Sequence, residues 1–228
     1  MNLIIQSIQD IAPNHLDHIA LLSQSTQIEQ VASNVYRLTG ASPHVEIASY
    51  CLEYQLDYGF VPSGSALSNY GLLVMDMDST LISIECIDEI ADMHGLKPQV
   101  AAITESAMRG EIDFAESLRR RVALLEGLDE QALLSVYEDR LKLNPGTEVM
   151  LAKLKSLGIR TLLVSGGFTF FTERLKARLG LDDTYANNLE IVDGKLTGRV
   201  LGDVFDAQSK VDCLIKTRQA LKLDSSQV

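Results

Sequence analysis

The chain has 228 residues, 46% of them hydrophobic and 22% charged, with 5 Pro and 15 Gly, a composition that excludes disordered and collagen-like chains. Its 20 basic and 31 acidic residues leave a net charge of -11, the wrong sign for gripping a nucleic-acid duplex or an anionic membrane. Three scattered cysteines, Cys51, Cys86 and Cys213, suit a reducing compartment and suggest neither a disulfide framework nor a zinc site.

In chain order, residues 1–70 read as a small α/β unit. The start, Met1-Asn2-Leu3-Ile4-Ile5-Gln6, has no basic leader, and Leu3-Ile4-Ile5 reads as a strand. Pro13-Asn14 opens a short helical pattern through Leu16, Ile19, Ala20 and Leu22, and a second apolar stretch runs from Val45 to Leu52. No apolar run approaches the ~18 residues that span a bilayer, so a soluble cytoplasmic protein is expected. Pro62-Ser63-Gly64-Ser65 is turn chemistry and marks a boundary zone.

Leu72-Leu73-Val74-Met75 is a continuous apolar run, as in a strand covered on both faces. Residues 85–143 follow with helical periodicity. Asn144-Pro145-Gly146 then predicts a helix capped by Asn144, with Pro145 as its first residue and Gly158 as its stop. Thr161-Leu162-Leu163-Val164 reads as a second buried strand breaking at Ser165-Gly166-Gly167. Asp193-Gly194 between Glu190-Ile191-Val192 and Lys195-Leu196-Thr197 predicts a two-residue hairpin, and a helix runs from Ala207 to Leu221. This alternation predicts an α/β fold: a doubly wound, Rossmann-like parallel sheet over 71–84 and 144–228, with residues 85–143 inserted above it as a helical cap.

Ligands in such sheets sit outside the carboxyl ends of the strands, where Asp76-Met77-Asp78-Ser79-Thr80 falls. Two carboxylates facing one crevice repel unless a proton or a cation lies between them, an arrangement for metal binding with nucleophile and acid chemistry. A calcium loop also opens D-x-D, but the positions that need Gly and Glu hold Leu81 and Ile87. Ser165-Gly166-Gly167, at a strand-to-helix turn, offers a hydroxyl and backbone N–H groups to an anion. Phe114, Leu118 and Arg121 share one helical face, whereas Arg119 and Arg120 point to solvent. His15 and His18 have the spacing of a metal pair but no third ligand, so a solvated helix face is expected.

Asp-x-Asp-x-Thr after the first strand of such a core resembles the signature of the haloacid-dehalogenase-like phosphohydrolases. The resemblance continues through Glu85, Ala107-Met108-Arg109-Gly110, Phe114, Ser117-Leu118-Arg119-Arg120-Arg121-Val122, Leu143-Asn144-Pro145-Gly146, Ser165-Gly166-Gly167-Phe168 and Lys210. That ordered series covers Gly71 to the end and is similar to the branch of the family that releases serine from O-phosphoserine, the last step of serine biosynthesis. The resemblance implies Asp76 as nucleophile, forming an aspartyl phosphate, and Asp78 as general acid and base. It implies Mg2+ at Asp76 and Asp78, with Ser165, Gly166 and Lys210 on the phosphate. Glu85 would receive the substrate ammonium, Arg121 its carboxylate, and Phe114 would lie over it. Members of the family often carry an ACT-like regulatory segment where residues 1–70 lie, and a homodimer stays open.

The sequence departs from the family at its end: Ser225-Ser226-Gln227-Val228 stands where a further strand and Gly-Asp-Gly-x-Asn-Asp should begin. The expectation is a truncated form with an exposed strand edge beside residues 72–76, one magnesium carboxylate fewer, and impaired turnover. The alternatives are a phosphatase or phosphotransferase for another small phosphomonoester, a catalytically impaired fragment, and a phospho-accepting receiver-like domain.

Overall fold

A computed structural model describes all residues, Met1–Val228, in two compact units, Met1–Ala66 and Leu67–Val228. The first contains β1 (Asn2–Gln6), α1 (Pro13–Ser23), β2 (Gln27–Ala32), β3 (Val35–Thr39), α2 (Val45–Glu53) and β4 (Asp57–Val61). Its antiparallel sheet has the order β2-β3-β1-β4, the β-α-β-β-α-β ferredoxin-like arrangement. Leu3, Ile5 and Leu38 point to one face of the sheet and bury against Leu16, Ile19, Ile47 and Cys51 of the helices. The apolar stretch at Val45 is therefore α2. His15 and His18 pack on Tyr50 and Tyr54 through ring contacts, and His15 Nδ1 lies 2.8 Å from the Tyr50 hydroxyl.

The second unit is built on β5 (Leu72–Met75), β6 (Arg160–Phe168), β7 (Asp183–Val192) and β8 (Lys195–Leu201), in that order across the sheet. The first three strands run parallel; β8 returns antiparallel through Asp193-Gly194, both with positive φ, as a two-residue hairpin requires. Alternation along the strands explains the two covered faces. Met75 and Leu163 point toward α7 (Thr147–Ser156) and α8 (Thr169–Leu179), where Leu151, Leu154, Phe171 and Leu175 are buried. Leu72, Leu162 and Val164 point the other way, toward Phe205, Cys213 and Leu221 around α9 (Ala207–Ala220). β5 forms one edge of this sheet.

Between β5 and α7 lies the helical cap: α3 (Cys86–Met93), α4 (Lys97–Met108), α5 (Phe114–Ala123) and α6 (Gln131–Ser135). Ile90, Leu118, Val122, Leu133 and Val136 form its interior, continuous with the core beneath β5 and β6. The β7–β8 hairpin straps the cap from the side: Gly127 N–H donates to Leu196 O at 2.8 Å, and Glu130 N–H to Gly194 O at 2.9 Å.

One sequence expectation fails here. Asn144 does not cap α7; the helix starts at Thr147, after Gly146 at φ 85°. The Asn144 amide instead donates to Thr80 O at 2.7 Å and Ile82 O at 3.3 Å, tying the entry of the cap to its exit. Two free carbonyls on the loop after β5 outcompete one capping bond.

Candidate active site

The site forms where β5 and β6 end. β5 stops at Met75, and the turn that follows holds Asp78 in extended geometry and Ser79 at φ 53°, so strand alternation is lost. The acids separated by one residue consequently open into one pocket of about 180 Å³. Asp76, Asp78, Glu85, Phe114, Leu118, Arg121, Gly166 and Lys210 line it, so residues from the turn, the cap, the β6 end and α9 converge. Arg119 and Arg120 point outward, Arg120 paired with Glu116 at 2.7 Å.

The two aspartates have different surroundings. Asp76 accepts from its neighbour Met77 N–H at 2.8 Å and from Lys210 Nζ at 2.6 Å. Asp78 accepts from Cys86 N–H at 2.9 Å and from the Ser165 hydroxyl at 3.0 Å. Burial pushes the Asp78 carboxyl above its ordinary value; its hydrogen bonds pull the other way, and the charge on Asp76 adds to the rise. One acid is thus held by a cation and the other is raised by burial, two environments that suit different parts in acid–base chemistry.

Ser165 does not face the cavity. Its hydroxyl, fully buried, donates to Asp78 and accepts from Gly167 N–H at 2.8 Å, so it braces the turn from behind. The neighbouring glycines are needed for close approach: a Cβ on Gly167 would lie 2.7 Å from Asp78 Oδ2, and one on Gly166 would lie 2.9 Å from the tip of the Phe114 ring.

Away from the aspartates, Glu85 accepts from the Ser79 hydroxyl at 2.6 Å, and burial, reinforced by Asp78 and Asp88, raises its carboxyl. Arg121 hangs from α5 with Nε donating to its own helix at Ser117 O, 3.4 Å away. Burial lowers its guanidinium against the opposing pull of Asp88, Glu85 and Asp78, and Arg121 forms no salt bridge. The pocket therefore holds an acid and a guanidinium that are not paired with each other.

The metal-donor chemistry is oxygen only. The chain has no group of three or more His, Cys, Asp or Glu arranged for a metal. Two carboxylates are too few for a structural zinc site but fit magnesium, which keeps several waters and commonly uses one or two protein carboxylates.

A parallel core, a helical cap and paired aspartates at the first strand exit define a cap-covered hydrolase. The family model for haloacid dehalogenase-like hydrolase matches residues 73–226; the chain belongs to that family. A model for a domain of unknown function matches residues 3–47. Phosphoserine phosphatase from Polaromonas sp. is 54% identical over 156 residues, covering 66% of this chain and 66% of its own. That from Albidiferax ferrireducens is 52% identical over 164 residues, covering 70% and 69%. The crystal structure of a "probable phosphoserine phosphatase" from Vibrio cholerae, unliganded, superposes with a TM-score of 0.81 at 36% identity, covering 99% of this chain and 70% of that one. The chain thus spans about two thirds of the length of these relatives.

Proposed function

We propose that the chain hydrolyses O-phosphoserine to serine and phosphate through a phosphorylated Asp76. The observation that carries this reading is the content of one pocket: a carboxylate pair with a lysine, suited to a phosphoryl group, beside an acid and a guanidinium that form no salt bridge, suited to an amino acid. In this reading an Asp76 oxygen attacks phosphorus while Asp78 gives its proton to the departing serine oxygen. Asp78 then takes a proton from the water that opens the acyl phosphate, freeing Asp76 and phosphate. Lys210 shifts its contact from Asp76 toward the phosphate, and the Gly166 backbone receives a phosphate oxygen. Glu85 takes the ammonium and Arg121 the carboxylate, its planar fork allowing two bonds. Phe114 and Leu118 cover the substrate and exclude water.

Asp76 and Asp78 would hold magnesium, which when bound offsets phosphate charge that an acidic protein cannot offset alone. The relatives' names support phosphoserine over other phosphomonoesters. The ferredoxin-like topology of Met1–Ala66 supports reading it as an ACT-like regulatory segment, separate from the capped phosphatase core. No helix is long and apolar enough to cross a membrane, in keeping with a small-molecule enzyme of the cytoplasm.

The test is release of phosphate from O-phosphoserine, O-phosphothreonine and phosphohomoserine with magnesium. Preference for O-phosphoserine, lost in Asp76→Asn and Asp78→Asn, is expected. Equal rates on all three esters would contradict the substrate assignment, and undiminished Asp76→Asn would contradict the chemistry.

A further inference from the structure

From its contacts we infer that Asn187, buried in the middle of β7, is a positioning residue that locks the phosphate cradle to the base of the lysine helix; this rests on the phosphatase reading above. The residue is 2% exposed, and each of its side-chain hydrogen bonds goes to a backbone atom. Its Nδ2 donates to Gly166 O at 2.9 Å and to Phe205 O at 3.2 Å, while its Oδ1 accepts from Phe205 N–H at 2.7 Å. Both amide protons and the carbonyl are therefore spent on the main chain of two loops.

Those loops carry the groups that meet phosphate. Gly166 lies at the β6 exit, next to the serine that braces Asp78. Phe205 immediately precedes Asp206, whose side chain caps α9 by accepting from Ser209 N–H at 2.9 Å. Lys210 N–H in turn donates to Asp206 O at 3.1 Å, placing its side chain on the first turn of α9 against Asp76. One amide thus fixes the distance between the backbone cradle and the cation that completes it. A buried amide with every position satisfied by backbone has one way to sit, so it transmits position well. Removing it leaves the Gly166 and Phe205 groups unpaired, and both loops relax.

The test compares the parent chain with Asn187→Leu, which keeps the shape and loses every bond, and Asn187→Asp, which keeps the acceptor and loses both donors. Inorganic phosphate binding with magnesium present is measured by calorimetry, alongside kcat and inhibition by L-serine. Phosphate affinity is expected to fall about tenfold and kcat about 100-fold, with L-serine inhibition unchanged because Glu85 and Arg121 are untouched. A folded variant with parental phosphate affinity and kcat would overturn the inference, as would equal weakening of phosphate and L-serine, the mark of general loosening. Should neither variant fold, hydrogen exchange on the parent decides: phosphate should protect residues 165–168 and 203–207 together. Protection confined to 165–168 would overturn the coupling. A parent that binds phosphate yet spares O-phosphoserine would count against the phosphatase reading, while the same affinities and exchange still decide the role of Asn187.

Discussion

At the β6 exit, single atoms decide whether the site can exist. Gly167 has no room for a side chain because Asp78 Oδ2 would lie 2.7 Å from its Cβ. Gly167→Ala should therefore displace the acid and lower kcat about 100-fold with little change in fold, read by steady-state kinetics beside a thermal melt. An alanine enzyme of normal kcat would show that Asp78 need not sit where it does. The cysteines offer a second check. Cys51 and Cys86 are each 1% exposed, whereas Cys213 is only partly buried, although burial raises all three thiols. Alkylation of the native protein should mark Cys213 first by mass spectrometry; early labelling of Cys86 would mean that the wall behind Asp78 opens. The aspartates were legible from their type and spacing after an apolar strand, and Arg121 from its helical face, whereas Glu85 and the role of Arg121 came only through the family resemblance. Asn187 was not, since its partners are backbone atoms of segments distant in sequence, and a lone Asn in a strand carries no pattern. Ser165 was legible as a cradle residue, but the direction of its hydroxyl depends on Asp78, on the turn after β5.

At the level of elements, short-range grammar read correctly where local energetics decide: β5, the Asp193-Gly194 hairpin, the Gly158 stop and α9 all lie where apolar runs and turn residues put them. It misread Asn144, because the contest between capping and tethering is settled by Thr80 and Ile82, some sixty positions away. It gave no hint of the hairpin strapping the cap, since that contact is made through backbone groups of Gly127, Glu130, Gly194 and Leu196. β2, exposed along its length, also lacked the apolar alternation that announces a strand. The start of α7 gives a prediction of its own. Gly146 stands at φ 85°, where a Cβ is strained, so Gly146→Ala should cost roughly 1–2 kcal/mol of stability. Urea denaturation measures it, and an unchanged midpoint would mean that the turn re-forms without positive φ.

The whole molecule consists of two units with separate interiors, and every residue lining the candidate pocket belongs to Leu67–Val228. A chain starting at Leu67 should accordingly keep the kcat of the parent on O-phosphoserine; its loss would assign Met1–Ala66 a part in forming the site. Alkali should act on the first unit through Cys51, whose thiol is raised by burial from 9.0 to about 11. The folded state favours the neutral thiol, so the unfolded chain loses its proton first. Stability from this group is complete below pH 9 and declines as pH rises toward about 11. Denaturation on either side of that window should show the decline, and Cys51→Ala should flatten it; an equal decline in the alanine chain would place the titration elsewhere. The central claim, that phosphorus passes through Asp76, is tested most directly by acid-quenching the enzyme during turnover of O-phosphoserine, followed by reduction with tritiated borohydride, which displaces the phosphate and leaves labelled homoserine, and peptide mapping. Label on the peptide carrying Asp76, at the position of that aspartate, is the predicted result. Turnover with label on any other residue would contradict it.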